Sequence, residues 1–337
     1  MRTLYLHIGH GKTGSSYIQS ALAGSVEALG NLGIEYPPHQ GIEAAAHGSV
    51  SSGNGRNLLT EGFRLYGERT LLSGEQLFGL MATGENRGKI DKALAGLGAE
   101  QIKVLLFIRD PVSNCCSSYQ QSVKRNGNTR EISKAMRSFS RPEQVNKVLN
   151  YLDGQGAETT VFNYSRERDR LIECLEKWLD VPVGSISRPP VGVINRSMTR
   201  SEIVFQKHLN RAFKGAKCGH IFSERLCDEL PYIIPDDMRP SIEEQEALWD
   251  RLADTISWVN ARIPTKARYT RERDVKPPKF SADDPLYFTE DQVRILAEVL
   301  AEKEQQLRKL KCRFTSPRAR SAFWRKLWLK KNNSAKT

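Results

Sequence analysis

The sequence predicts an α/β fold: a parallel sheet flanked by helices, with a mostly helical C-terminal extension. Three observations predict it. Short apolar runs bounded by turn residues recur through the first half of the chain, and helical periodicity follows most of them. Residues 102–108 (IKVLLFI) are nearly all apolar, as a strand buried on both faces should be. From residue 195 onward the pattern becomes mostly helical, at about 199–213, 241–262 and 289–310. Strands alternating with helices argue for a doubly wound parallel sheet.

Residues 3–8 (TLYLHI) are the first strand. They run into Gly9-His10-Gly11-Lys12-Thr13-Gly14-Ser15-Ser16 and then a helix over about 15–30. Residues 33–38 give a short strand stopped by Pro37 and Pro38. Residues 39–62, rich in Gly, Ser and Asn and holding His39 and His47, are expected to form a mobile surface loop. Residues 69–73 are a strand ending at Gly74-Glu75-Gln76, and 85–98 suit a helix. The 102–108 strand ends at Arg109-Asp110-Pro111, and Pro111 is a natural first residue for a helix over 112–125. A helix over 142–153, a strand over 159–164 and a helix over 166–179 complete the alternation. Pro-rich joints lie near 182–190, 231–240 and 277–285, and no internal repeat is visible. The organisation expected is a core over 1–215, a helical extension packed on it over 216–310, and a basic amphipathic tail over 311–337.

The chain has 337 residues and 39% apolar content, enough for one large core. No run reaches 18 apolar residues, so no spanning helix is expected. No apolar leader is expected ahead of the first strand, since residues 3–8 are too short and run into the Gly-rich turn. Six cysteines lie at 115, 116, 174, 218, 227 and 312 without a C-x-x-C pair, so no metal site is expected. A reducing cytoplasm is the expected location. The net charge of +12 is concentrated at one end: from Arg308 onward there are eleven Lys or Arg and no Asp or Glu. The body is close to neutral, which argues against nucleic acid as a partner.

The turn at 9–16 has the chemistry of an anion cradle. Glycines let backbone N–H groups converge, a helix start adds more, and Lys12, Ser15 and Ser16 add a charge and hydroxyls. It does not fit the ATP and GTP loop G-x-x-x-x-G-K-[ST], because Ser15 follows Gly14 where Lys is required. The order is instead G-x-x-K-T-G-S-S. A second cluster, Arg109-Asp110-Pro111 followed by Ser117 and Tyr119, also stands at a strand's carboxyl end, where parallel sheets bind ligands. Arg suits forked contact with phosphate.

These two motifs, in this order, resemble the phosphate-binding elements of sulfotransferases that use 3′-phosphoadenosine 5′-phosphosulfate (PAPS), bacterial and carbohydrate-directed members included. The first matches the K-[TS]-G-[TS]-[TS] loop and the second the R-[DN]-P…S-x-Y pattern, over roughly residues 1–215. The resemblance implies a P-loop-NTPase-like sheet, no metal, and transfer of a sulfuryl group from PAPS to an acceptor hydroxyl, leaving 3′,5′-ADP. It implies that Gly11, Lys12, Thr13, Gly14, Ser15 and Ser16 hold the 5′-phosphosulfate, with Lys12 at the leaving oxygen. Arg109 and Ser117 would hold the 3′-phosphate. Glu75, in the local form Ser73-Gly74-Glu75, would be the general base, with His47 and His39 as weaker rivals. Glu75 points to a carbohydrate or glycolipid acceptor. Relatives often carry Tyr-Glu where this chain has Tyr164-Ser165, so no role is assigned there. Asn195-Arg196-Ser197 resembles a segment of bacterial members that closes over the nucleotide; a helix N-cap at Ser197 or Thr199 explains it equally.

Residues 321–331 (SAFWRKLWLKK) pair Phe323 with Leu327 and Trp324 with Trp328 among basic residues. Three readings stay open: a peripheral contact with the inner membrane face, a terminal helix docked on the body, and a disordered basic end. Two other functional classes also stay open, a small-molecule kinase using ATP and a non-enzymatic nucleotide- or RNA-binding protein.

Overall fold

The computed structural model describes residues 1–315, apart from 49, 51, 66, 85–86, 191–195, 216–219 and 282. Five strands form one sheet: β1 (Thr3–His7), β2 (Ile34–Glu35), β3 (Arg69–Ser73), β4 (Gln101–Ile108) and β5 (Glu158–Asn163). The order is β2-β3-β1-β4-β5 and every pairing is parallel. β1 lies at the centre and is buried along its whole length. The chain crosses from β3, on one side of β1, to β4, on the other. Such a reversal opens a crevice at the carboxyl ends of the strands.

The period-two alternation of the strands sorts two apolar layers. Leu4, Leu6, Leu72, Val104 and Leu106 face one layer, packed with Leu77, Phe78, Val112, Val145 and Val148 of the covering helices. Tyr5, Leu71, Leu105, Phe107 and Phe162 face the other, packed with Ile18, Leu22, Leu171 and Leu175. Leu248, Trp249, Leu252, Ile256 and Val259 join the first of these layers, so side chains from beyond residue 240 contribute to the main core. Helix Glu290–Thr315 packs Ile295 and Val299 against Phe222, Leu226 and Leu230.

The strands fall where the sequence pattern puts them. Several other elements differ. The helix expected over 15–30 is two, Ser15–Gly24 and Val26–Asn31, and the one over 241–262 is broken at Leu252. Helices Glu75–Thr83, Ile132–Ser138 and His220–Glu229 carry no signal recognised in the sequence. The 39–62 segment is not a plain surface loop. It contains helix Ile42–Ala46 and the 3₁₀ turn Asn54–Leu59. Asn54 is fully buried, donates to Leu71 O at 3.0 Å and accepts from Ser73 N at 2.7 Å. Its short amide side chain replaces a missing strand neighbour and pins the end of β3. Arg196 is sealed in an ion pair with Glu202 at 2.7 Å and donates to Leu226 O and Leu230 O. Thr199, in a capping box with Glu202, is the N-cap of helix Arg200–Ala212. Asn195, Cys218 and the tail from 316, including 321–331, lie outside the described residues, as does the side chain of Cys312. No helix among the described residues is long and apolar enough to cross a membrane.

Candidate functional site

All strands run the same way, so their carboxyl ends share one edge. The 8–14 turn, Gly74-Glu75 and Arg109-Asp110 all emerge there. Gly14 is the N-cap of helix Ser15–Gly24 at φ 81, and it has no side chain to cap the first turn. A Cβ at Gly14 would lie 2.6 Å from Leu171 Cδ1 and 3.0 Å from Tyr164 Cε2. Lys12 is held at φ 72, a conformation that costs a non-glycine residue energy and that concentrates at functional sites. Thr13 is fully buried, and its hydroxyl donates to His10 O at 2.5 Å. Its side chain therefore closes the turn, leaving the backbone as its contribution to a ligand. Ser15 is buried and its Oγ has no protein partner. Ser16 stands next to it in the first turn.

The second cluster reaches this turn. Arg109 Nη1 donates to Lys12 O at 3.0 Å, and the guanidinium lies 5.2 Å from the centre of the Tyr164 ring. Helix Pro111–Asn126 brings further groups on one stripe. Asn114 Nδ2 donates to Gly11 O at 3.2 Å, and Lys12 Nζ donates to Gln121 Oε1 at 3.5 Å. Ser117 is buried and sits between Asn114 and Gln121 at i+3 and i+7, so it faces the same turn. Tyr119 points elsewhere: it packs with Met198 and Ile203 and donates to Arg130 O at 2.9 Å.

The charges are unbalanced. Among the described residues neither Lys12 nor Arg109 makes an ion pair. Burial, with repulsion from Arg109 and Lys124, lowers the Lys12 ammonium to about 8, against the pull of Glu75. Burial also lowers Arg109. Both side chains are only partly exposed, and partly buried cations without a countercharge are costly; an anion would relieve both. Glu75 opens helix Glu75–Thr83 and is exposed to solvent, yet protein crowds it. That crowding raises its carboxyl, while Lys12 and Arg141 pull the other way. The β3 end that carries it is closely packed: a Cβ at Gly53 would lie 2.3 Å from Ser73 O and one at Gly55 2.8 Å from Gly74 Cα.

Three residues of this edge were not singled out in the sequence. His10 is fully buried, and burial with nearby Arg141 lowers it to about 3, so it is neutral. Its Nδ1 lies 3.1 Å from Gly11 O. A carbonyl only accepts, so Nδ1 carries the proton and Nε2 is a bare acceptor. Arg141 begins helix Arg141–Gly154, and its guanidinium lies 5.7 Å from the centre of the Phe78 ring. Tyr269 comes from the extension, held by Asn260 through bonds of 2.8 and 3.1 Å. These lacked a local signal, because long-range packing alone assembles them. His39 packs edge-on against Tyr36, 5.9 Å between ring centres, and His47 is exposed.

Asp274, also from the extension, fixes the second cluster. It is buried and accepts from Val112 N at 2.7 Å, Ser113 N at 2.9 Å, Ser113 Oγ at 2.7 Å and Trp249 Nε1 at 3.2 Å. A carboxylate on the first N–H groups of Pro111–Asn126 is the favourable sign at a helix start. Cys115, Cys116, Cys174 and Cys227 are free and buried, and burial pushes each thiol up. No group of three or more His, Cys, Asp or Glu among the described residues is placed to hold a metal ion. An open groove of about 550 Å³ lies elsewhere, lined by Trp249, Ile256, Asn260, Arg268 and neighbours; none of the cradle residues lines it.

A scan against protein-family models finds no match for this chain, and a search of curated proteins finds none either.

Proposed function

We propose that the protein is a PAPS-dependent sulfotransferase with a P-loop-NTPase-like core, acting on a hydroxyl of a carbohydrate or glycolipid. The observation that carries this reading is the meeting of Lys12 and Arg109, neither in an ion pair among the described residues, at one helix start on the carboxyl edge of the sheet. The donor supplies two anionic ends, a 5′-phosphosulfate and a 3′-phosphate, for two cation-bearing motifs. The backbone of 13–16 with Ser15 and Ser16 takes the first; Arg109 and Ser117 take the second.

In the reaction an acceptor oxygen attacks sulfur, its proton passes to Glu75, and the bond between sulfur and the 5′-phosphate oxygen breaks. The electron pair stays on the phosphate, opposite the Lys12 ammonium. Catalysis is then positioning plus charge stabilisation. Glu75 is suited to its part because crowding raises its basicity while solvent access lets the proton leave.

The test is transfer of labelled sulfate from PAPS to a panel of desulfated glycans and glycolipids. Lys12→Ala should lower turnover by about 10²–10³, the scale of one lost charge-stabilising donor. Glu75→Gln should abolish turnover with 3′,5′-ADP affinity unchanged. Near-normal activity in Lys12→Ala removes the assignment. The kinase reading would instead require ATP consumption by the same preparation.

A further inference from the structure

Beside the donor cradle lies a second group of unsatisfied atoms that the transfer step does not use. Phe78 is its floor, one turn along the helix from Glu75. The His10 ring stands edge-on to Phe78 at 5.4 Å between centres, and the Arg141 guanidinium covers the same ring. Among the described residues the Arg141 side chain donates to one neutral group, Gln144 Oε1, at 2.6 Å. Its Nε is buried and has no partner. The Tyr269 hydroxyl is likewise buried and unpartnered, in a residue 4% exposed, and it feels the charges of Asp110 and, more weakly, Arg141. His10 Nε2 is the third orphan.

Buried polar atoms of native proteins almost always find a partner, so three together call for one. Their chemistry is specific. Arg141 and Tyr269 present donors, one of them charged. His10 Nε2 presents a lone pair. Two donors suit an anion and the lone pair suits a hydroxyl. Arg141 and Lys12 are the two cations that act on the Glu75 carboxyl, so the group on Phe78 stands near the proposed base.

We propose that Arg141, Tyr269 and His10 form an acceptor subsite, and that the acceptor is an acidic hydroxy compound whose carboxylate, sulfate or phosphate binds Arg141 and Tyr269. This rests on the transferase reading and adds the class of acceptor to it. A sugar acid or an already sulfated sugar has the required pairing of anion and hydroxyl; a neutral glycan lacks the anion.

Calorimetric titration of the full chain loaded with 3′,5′-ADP tests it with three probes. They are a glucuronate-containing disaccharide, its carboxyl-reduced glucose counterpart, and the 6-sulfated form of that counterpart. At least one acidic probe should bind about tenfold or more tightly than the neutral one, the scale of a hydrogen bond to a charged group. Which acid binds better identifies the anion. Arg141→Gln should erase the preference, Arg141→Lys should keep part of it, and Tyr269→Phe should weaken acidic probes several-fold, all with unchanged 3′,5′-ADP affinity. Equal binding of acidic and neutral probes, binding of neither, or an acid preference that survives Arg141→Gln overturns the proposal while the donor reading stands. Failure of 3′,5′-ADP to bind removes both.

Discussion

At the scale of the residue, the proposed transfer depends on two groups displaced in opposite directions. In the proposed transfer Lys12 must be charged to face the leaving phosphate, and its neighbourhood lowers it to about 8. Glu75 must be ionised to take a proton, and crowding raises it. Activity requires pH above the Glu75 value and below the Lys12 value. The pH dependence of kcat/KM, which reports the free enzyme, should therefore be bell-shaped. Its acid limb should be displaced upward from that of an ordinary glutamate and its alkaline limb should lie near 8. Lys12→Arg should remove the alkaline limb, because a guanidinium stays charged. A wild-type profile flat to pH 10 would exclude Lys12 from the step. The places of Lys12, Glu75 and Arg109 beside strand ends were legible in the sequence, and Ser117 was singled out by its spacing from Arg109 in the resemblance. His10, Arg141 and Tyr269 were not. His10 reads as one more turn residue, and Arg141 and Tyr269 acquire meaning only when chain segments more than a hundred residues apart come together.

At the scale of the element, the site is held by caps and staples from distant segments. Asp274 orders the first turn of Pro111–Asn126, the helix that carries Asn114, Ser117 and Gln121. Asp274→Ala should destabilise the protein by about 1–3 kcal/mol, the cost of leaving buried N–H groups unpaired. It should also weaken 3′,5′-ADP binding, through the helix alone. Asp274→Asn keeps one acceptor and should cost less. Chemical denaturation read beside ligand titration checks both, and an alanine variant of wild-type stability would show the cap to be idle. Asn54 does similar work on β3, and its role explains why the 39–62 segment misled the sequence reading. Gly, Ser and Asn there signal turns, which is correct locally. The burial that turns Asn54 into a staple arises from β3, and no local pattern encodes it. The apolar strands were legible for the opposite reason: β4 is buried on both faces, and continuous hydrophobicity is the imprint of that burial.

At the scale of the whole molecule, the parallel order β2-β3-β1-β4-β5 collects three strand ends around one crevice, and the extension closes over it with Asp274 and Tyr269. The helical C-terminal half thus contributes both to the main core and to the edge where the cradle stands. The +12 charge of the chain plays little part in this, since most of it lies beyond residue 307. What the fold offers is a local surplus: Lys12 and Arg109 against Glu75. The claim that this surplus holds a nucleotide with phosphates at both the 3′ and 5′ positions is tested most directly by thermal unfolding of the full chain with 3′,5′-ADP, without metal, beside ATP with Mg²⁺. A ligand that binds only the folded state raises the melting temperature as its concentration passes its Kd. The melting temperature should rise with 3′,5′-ADP alone, and Arg109→Ala should abolish the rise. A rise only with ATP and Mg²⁺ would contradict the claim.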